Sequence, residues 1–179
     1  MRIIPPALLA LSLLVVGVVA HASTPIPDAS FDVGFSPRAG AQDVVLSAIN
    51  SAQREILVAA YTFTSKPVAL ALLAAARRGV KVAVVADAKA NSGRYSAAQF
   101  LANKDLPVRL NDHFAILHDK FLVIDRKSVE LGSFNYSAAA NAKNAENALL
   151  LHNVEPLAQV YVTEWRSLWE GGEDLQAKY

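Results

Sequence analysis

Between Ile116 and Asn135 the chain reads Ile-Leu-His118-Asp-Lys120-Phe-Leu-Val-Ile-Asp125-Arg-Lys-Ser-Val-Glu-Leu-Gly132-Ser133-Phe-Asn135. A histidine, a lysine two residues on and an aspartate five further stand in an otherwise apolar stretch. If the segment is extended, alternation sends His118 and Lys120 to the same face. An imidazole beside an ammonium suits a place where an anion is bound and attacked. It is poor core filling, because lysine is almost never fully buried unless paired. Ser133 and Asn135, again two apart, offer a hydroxyl and an amide to phosphate oxygens, and Gly132 lets backbone approach closely. Glu146, at the mouth of an expected strand, is placed to accept from one imidazole nitrogen and leave the other free to react. The chemistry these types suggest is phosphoryl transfer.

Phosphodiester cleavage needs a nucleophile, charge neutralisation on the non-bridging oxygens and an acid for the departing alkoxide. The residues permit His118 in the first role and Lys120 in the second, its three donors tracking an anion as a point charge. A metal route lacks its usual ligand sets: there is no His-Glu-x-x-His, no Asp-x-Asp pair and no cysteine. On an extended segment His113 and His118 fall on opposite faces. Glycine-rich nucleotide loops are absent too. We expect neither metal nor cofactor.

The spacing His118-x-Lys120-x4-Asp125, then six residues and Gly132-Ser133-x-Asn135, resembles the signature of the phospholipase D superfamily. Glu146 falls where that family places a further carboxylate. The resemblance implies that His118 forms a covalent phosphohistidine, splitting one hard displacement into two easier ones. It includes Asp125 in the catalytic signature, although a place in a tight turn points first to fixing a hairpin or pairing with a nearby base. Lipid-cleaving members usually carry two copies of the motif. Here His113 is followed two residues later by Ala115 and His152 by Val154, so the motif occurs once. A short, single-motif, exported chain is most similar to the small bacterial nucleases of the superfamily.

One copy leaves a geometric gap, because in-line displacement puts attacking and leaving atoms on opposite sides of phosphorus. The simplest remedy is a symmetric homodimer with one shared site at its two-fold axis.

The start of the chain has a different character. Arg2, the apolar run from Ala7 to Val19, and Ala20-His21-Ala22 have the layout of a secretory signal peptide. We expect cleavage of residues 1–22, a periplasmic protein and one phosphodiesterase domain over residues 23–179. Without the leader, 16 basic residues face 16 acidic ones. A tight, extended nucleic-acid footprint would be more basic, so neutrality favours transient engagement of phosphates at a local site. With no cysteine, stability must come from packing.

Periodicity and caps give the elements that must position these groups. Strands are expected at Phe31–Phe35, Glu55–Tyr61, Val80–Ala86, Pro107–Leu110, Ala115–Ile124, Ser128–Gly132 and Glu146–Leu151. Helices are expected at Ala41–Ala52, from Ser65 to Arg78 with Gly79 as stop, at Ser96–Asn103, from Tyr136 towards Asn144, and at Pro156–Trp169. Strands alternating with helices, plus a hairpin turning at Asp125–Lys127, indicate an α/β/α sandwich around a mixed β-sheet, the fold that the resemblance also implies.

The leading expectation is a metal-independent endonuclease acting on DNA, and on RNA as a second polynucleotide, with no stable membrane association. The alternative is a phospholipase D-type or general phosphodiesterase acting on lipid head groups. A third class, a non-catalytic phosphate-binding module, is disfavoured because the histidine and lysine are intact. Arg77, Arg78, Lys81, Lys89, Arg94, Arg126 and Lys127 are candidates to line a substrate groove, each weighed against an ordinary solvated surface.

Overall fold

The structure is a computed structural model that describes residues 27–93 and 95–178. The expected leader and Arg94 lie outside the described residues. Among the described residues eight strands form one mixed sheet in the order β1-β7-β6-β5-β2-β3-β4-β8. The strands are β1 (Ser30–Ser36), β2 (Glu55–Ala60), β3 (Lys81–Asp87), β4 (Val108–Asn111), β5 (Phe121–Ile124), β6 (Ser128–Gly132), β7 (Glu146–His152) and β8 (Gly172–Asp174). β2, β3 and β4 are parallel and the other pairings antiparallel. Helices α1 (Ala41–Ser51), α2 (Lys66–Arg77) and α4 (Ala97–Ala102) pack on one face and α6 (Glu155–Glu170) on the other. Two short helices, α3 (Ala88–Asn91) and α5 (Ala138–Ala142), complete the set. The expected α/β/α sandwich is present.

Strand alternation divides the core. Ile56, Val58 and Ala60 of β2 join Leu122 and Ile124 of β5 under α1 and α2, while Leu57, Ala59, Phe121 and Val123 face α6. α6 answers with Ala158, Val162, Trp165 and Leu168 at helical spacing, and the Trp165 indole N–H donates to Val58 O at 2.8 Å. Each fully buried valine or leucine contributes about 1.5–3 kcal/mol. Ser65 caps α2 by accepting from Val68 N, and Gly79 at φ +92° ends it in a conformation that costs other residues energy. Ser96 and Ser137 cap α4 and α5 in the same way. Among the described residues no helix is long and apolar enough to cross a membrane.

Glu130 in β6 is fully buried and accepts the Tyr136 hydroxyl at 2.9 Å. Burial pushes its carboxyl up to about 8 against the lowering effect of that hydrogen bond, so it is largely protonated at neutral pH and no bare charge is buried.

One expected element is not formed as read. The strand covers only Phe121–Ile124, and residues 115–120 run irregularly. Leu117 N leaves any ladder to donate to Asp87 Oδ2 at 2.9 Å, which turns the segment across the end of the sheet.

Candidate active site

The carboxyl ends of parallel strands are where open α/β sheets gather their ligands, and the polar anchors of this chain collect there. Asp87, the last residue of β3, is buried; its Oδ1 caps α3 by accepting from Ala90 N, while Oδ2 holds Leu117 N. Asn91, also buried, donates to Asp87 O at 2.8 Å and to Tyr61 O at 2.6 Å and accepts from Phe63 N at 3.0 Å. One buried pair thus fixes two segments: the loop leaving β2 and the run into His118.

Register brings in the rest. Ala59 pairs with Phe121, Phe121 with Leu131 and Gly132 with Ala148. Residues just before β5, just after β2 and β6, and at the start of β7 therefore meet at one end of the sheet. They enclose an open cleft of about 610 Å³ whose lining includes His118, Asp119, Lys120, Ser133, Asn135, Glu146 and Tyr161. Gly132 permits the closure: a Cβ there would lie 2.2 Å from Asn147 O.

Five of the six expected site residues meet in this cleft. His118 and Lys120 share it, but strand alternation is not the cause. The backbone is irregular, and Lys120 folds back so that Nζ donates to His118 O at 2.5 Å. Lys120 is only 8% exposed. Burial lowers its pKa, against the pull of the Asp119 and Glu146 carboxylates, which favour the charge. Asn135 accepts weakly from Thr62 N through Oδ1 at 3.5 Å, which leaves its amide hydrogens to donate.

Ser133 lies in the cleft with its polar atoms bonded to β7. Its hydroxyl donates to Glu146 Oε2 at 2.7 Å and accepts from Asn147 N at 3.1 Å, while its own N–H donates to Asn147 Oδ1. A serine has one O–H, and here it goes to Glu146. The other Glu146 oxygen accepts from Asn144 Nδ2 at 2.9 Å. Glu146 therefore lines the same cleft as His118, with its carboxylate held by Ser133 and Asn144 and not bonded to the imidazole.

Asp125 is not in the cleft. It lies at the far end of β5, and its carboxylate accepts from the backbone N–H groups of Gln53, Arg54 and Glu55 at 2.7–3.0 Å. Burial works to raise its pKa, but those three donors and the Arg54 charge outweigh it and hold the carboxyl below its ordinary value of 3.8. Outside the cleft, its carboxylate anchors the α1–β2 loop on the β5–β6 turn, the structural part to which its place in a tight turn pointed first. Asp125→Ala should cost about 1–2 kcal/mol in denaturant unfolding, as for loss of a helix-capping side chain, with turnover per folded molecule unchanged. The sign for pH follows from the lowered value. The contribution is complete above 3.8 and is lost as pH falls through the folded-state pKa, so wild type and variant should converge in strong acid.

The candidate groove cations also separate from the site. Lys81 and Arg126 line a different cavity with Asp125, and Arg126 pairs with Glu55 at 2.8 Å. Lys127 pairs with Glu155, and Arg78 donates to carbonyls around the end of α1. None of these lines the cleft.

Two tyrosines of the site carried no chemical signal in the sequence. Tyr61 sets its ring 4.7 Å from the His118 imidazole, and Lys120 Nζ lies 5.2 Å from the same ring. Tyr161 of α6 lines the cleft; burial raises its pKa, and Asp119 adds to the effect. A tyrosine ending an apolar strand reads as core, and only the register reveals otherwise.

The comparisons agree with this geometry. The family described as cardiolipin synthase, PLD-like domain, matches residues 45–169. A protein of Rickettsia felis named phospholipase D is 34% identical over 131 residues, covering 73% of this chain and 65% of the relative. The chain thus spans slightly less than two thirds of that relative's length. Among solved structures, Nuc from Salmonella typhimurium, a phospholipase D family member, superposes with a TM-score of 0.82 at 41% identity, over 84% of this chain and all of that one. NucT from Helicobacter pylori gives 0.74 at 25% identity, over 83% of this chain and again all of that one. With a family model matching residues 45–169, with His118, Lys120, Ser133 and Asn135 gathered at one end of a mixed sheet, and with two solved structures matched along their whole length, the chain belongs to the phospholipase D-like family.

Proposed function

We propose that this protein is an exported, metal-independent endonuclease that hydrolyses phosphodiester bonds of DNA, and of RNA as a second polynucleotide, at a site shared by two copies of the chain. The observation that carries the proposal is the cleft joining His118, Lys120, Asn135 and Glu146. His118 attacks phosphorus while Lys120 and the Asn135 amide neutralise the non-bridging oxygens. The bond to the leaving oxygen breaks, and that oxygen takes a proton from the imidazolium of His118 in the second copy. Water, deprotonated by that now neutral imidazole, then attacks the phosphohistidine. The P–N bond breaks, and both histidines return to their starting protonation.

Support for a second copy comes from the sheet edge. α6 covers the inner strands on its face but leaves β1 bare: Phe31, Val33 and Phe35 are 66%, 48% and 54% exposed. They pair with Leu151, Leu149 and Asn147 of β7, and Asn147 also lines the cleft. Among the described residues this edge is bridged beyond β7 only at Phe35, by the turn at Ala39 and Gly40, and an apolar stripe there, continuous with the catalytic cleft, suits association with a like surface.

A lipid phosphodiester is the second reading, favoured by the name of the Rickettsia felis relative. The cleft chemistry reads the diester and not its substituents. The deciding experiment incubates the purified mature protein, with excess chelator, with plasmid DNA and with phosphatidylcholine vesicles. We expect nicked and linear plasmid and intact lipid. Release of choline with intact plasmid would transfer the function to lipid, and strict dependence on added magnesium, calcium or zinc would overturn the mechanism.

A further inference from the structure

The His118 ring must be held while it attacks, and the structure points to a residue outside the motif for that task. Among the described residues no hydrogen bond reaches the imidazole, and the two oxygens of Glu146 are occupied by Ser133 and Asn144. What the imidazole meets is Tyr61, its ring centroid 4.7 Å away and its plane tilted by 51°. The same ring lies under Lys120 Nζ. Tyr61 is itself anchored, because its carbonyl accepts from the buried Asn91 amide, which also donates to the backbone of Asp87 and accepts from Phe63 N. Asp87 in turn holds Leu117, the residue before His118. Ring and imidazole are thus fixed from one buried point, so their separation is set by the fold and not by a mobile surface.

We propose that Tyr61 is a positioning residue: its ring face holds the His118 imidazole in attacking orientation and the Lys120 ammonium beside it. The proposal rests on His118 being the nucleophile. It does not depend on whether the diester belongs to a polynucleotide or a lipid. An aromatic ring does both jobs without competing for protons, since it attracts a cation and packs at a tilt against an imidazole while offering no lone pair that would capture the reactive nitrogen. The hydroxyl is not required.

The test uses bis(4-nitrophenyl) phosphate, which carries neither base nor lipid, with Tyr61→Leu and Tyr61→Phe in the full mature chain. Tyr61→Leu should lower kcat about 10²-fold, the cost of a nucleophile displaced by about 1 Å, with KM changed less than about threefold. Tyr61→Phe should keep kcat near wild type. In proton NMR, the His118 ring resonances, assigned by their loss in His118→Ala, should lie upfield in wild type and Tyr61→Phe through the ring current and move downfield in Tyr61→Leu. Three results would each overturn the proposal: kcat within threefold of wild type in the leucine variant, equal loss in the phenylalanine variant, or wild-type His118 resonances at their unstacked positions. If wild type hydrolyses no diester, the nucleophile assignment fails, while the NMR shifts still decide whether Tyr61 holds the ring.

Discussion

His118→Ala is expected to abolish turnover, by at least about 10⁴-fold, while leaving the fold intact. Nucleophile deletions in enzymes that form covalent intermediates have effects of that size or larger, because no other step can proceed until the intermediate exists. The side chain is exposed at the cleft and makes no hydrogen bond among the described residues, so stability should change by no more than about 0.5 kcal/mol. Lys120→Ala should lose about 10²–10³-fold, the scale of removing one group that stabilises developing charge. It should not destabilise the protein much, since the ammonium is held at a desolvation cost that lowers its pKa. Circular dichroism and denaturant midpoints establish folding, and kcat on a diester substrate establishes the loss. Stereochemistry then separates two uses of the imidazole. A phosphohistidine requires two in-line displacements and hence retention at a chiral phosphorus. Net inversion would mean that water attacks directly, with His118 as general base.

The layered fold was legible because its signals are local. Ser65, Pro67 and Gly79 bracket α2, and the short apolar run from Ile56 to Ala60 marks β2 as a buried strand. What escaped depends on partners distant in sequence. Residues 115–120 are apolar enough to suggest a strand, but a carboxylate thirty residues earlier takes the Leu117 amide. β8 has three residues and exists through pairing with β4; α3 has four and is capped by Asp87. None of these carries a periodic pattern long enough to detect.

The site was legible in composition more than in arrangement. His118, Lys120, Ser133, Asn135 and Glu146 all line the cleft, but Ser133 holds Glu146 where direct contact with phosphate was expected. Asp125 shows how a motif can mislead. The four residues between Lys120 and Asp125 are strand β5 itself, Phe121–Ile124. At roughly 3.3 Å per residue the strand separates the two side chains by about 17 Å. The aspartate therefore lies in the turn beyond β5, at the end of the strand away from the cleft. A fixed spacing of this kind records the length of a strand, not proximity.

Mixing wild-type and His118→Ala chains should expose a shared site through a quadratic loss of activity. In-line displacement needs a nucleophile on one side of phosphorus and an acid on the other, and each chain brings one His118. If the chains exchange fully at fixed total protein, only pairs with two intact histidines complete a turnover, so activity should follow the square of the wild-type fraction. A self-sufficient monomer, or a dimer of independent sites, predicts a straight line. Exchange must be measured separately, for example by mass spectrometry of isotopically labelled chains, because subunits that never swap also give a straight line. The bare edge supplies the second arm. Val33→Lys places a charge in the exposed stripe of Phe31, Val33 and Phe35 without touching the cleft residues. On a self-associating surface, facing lysines repel and lose apolar burial, so the variant should sediment as a monomer. Its activity should fall steeply on dilution while its His118 resonances stay in place. A monomeric Val33→Lys protein with full turnover would put the acid within the same chain, leaving His113, Glu146 or another group of the cleft to protonate the leaving oxygen.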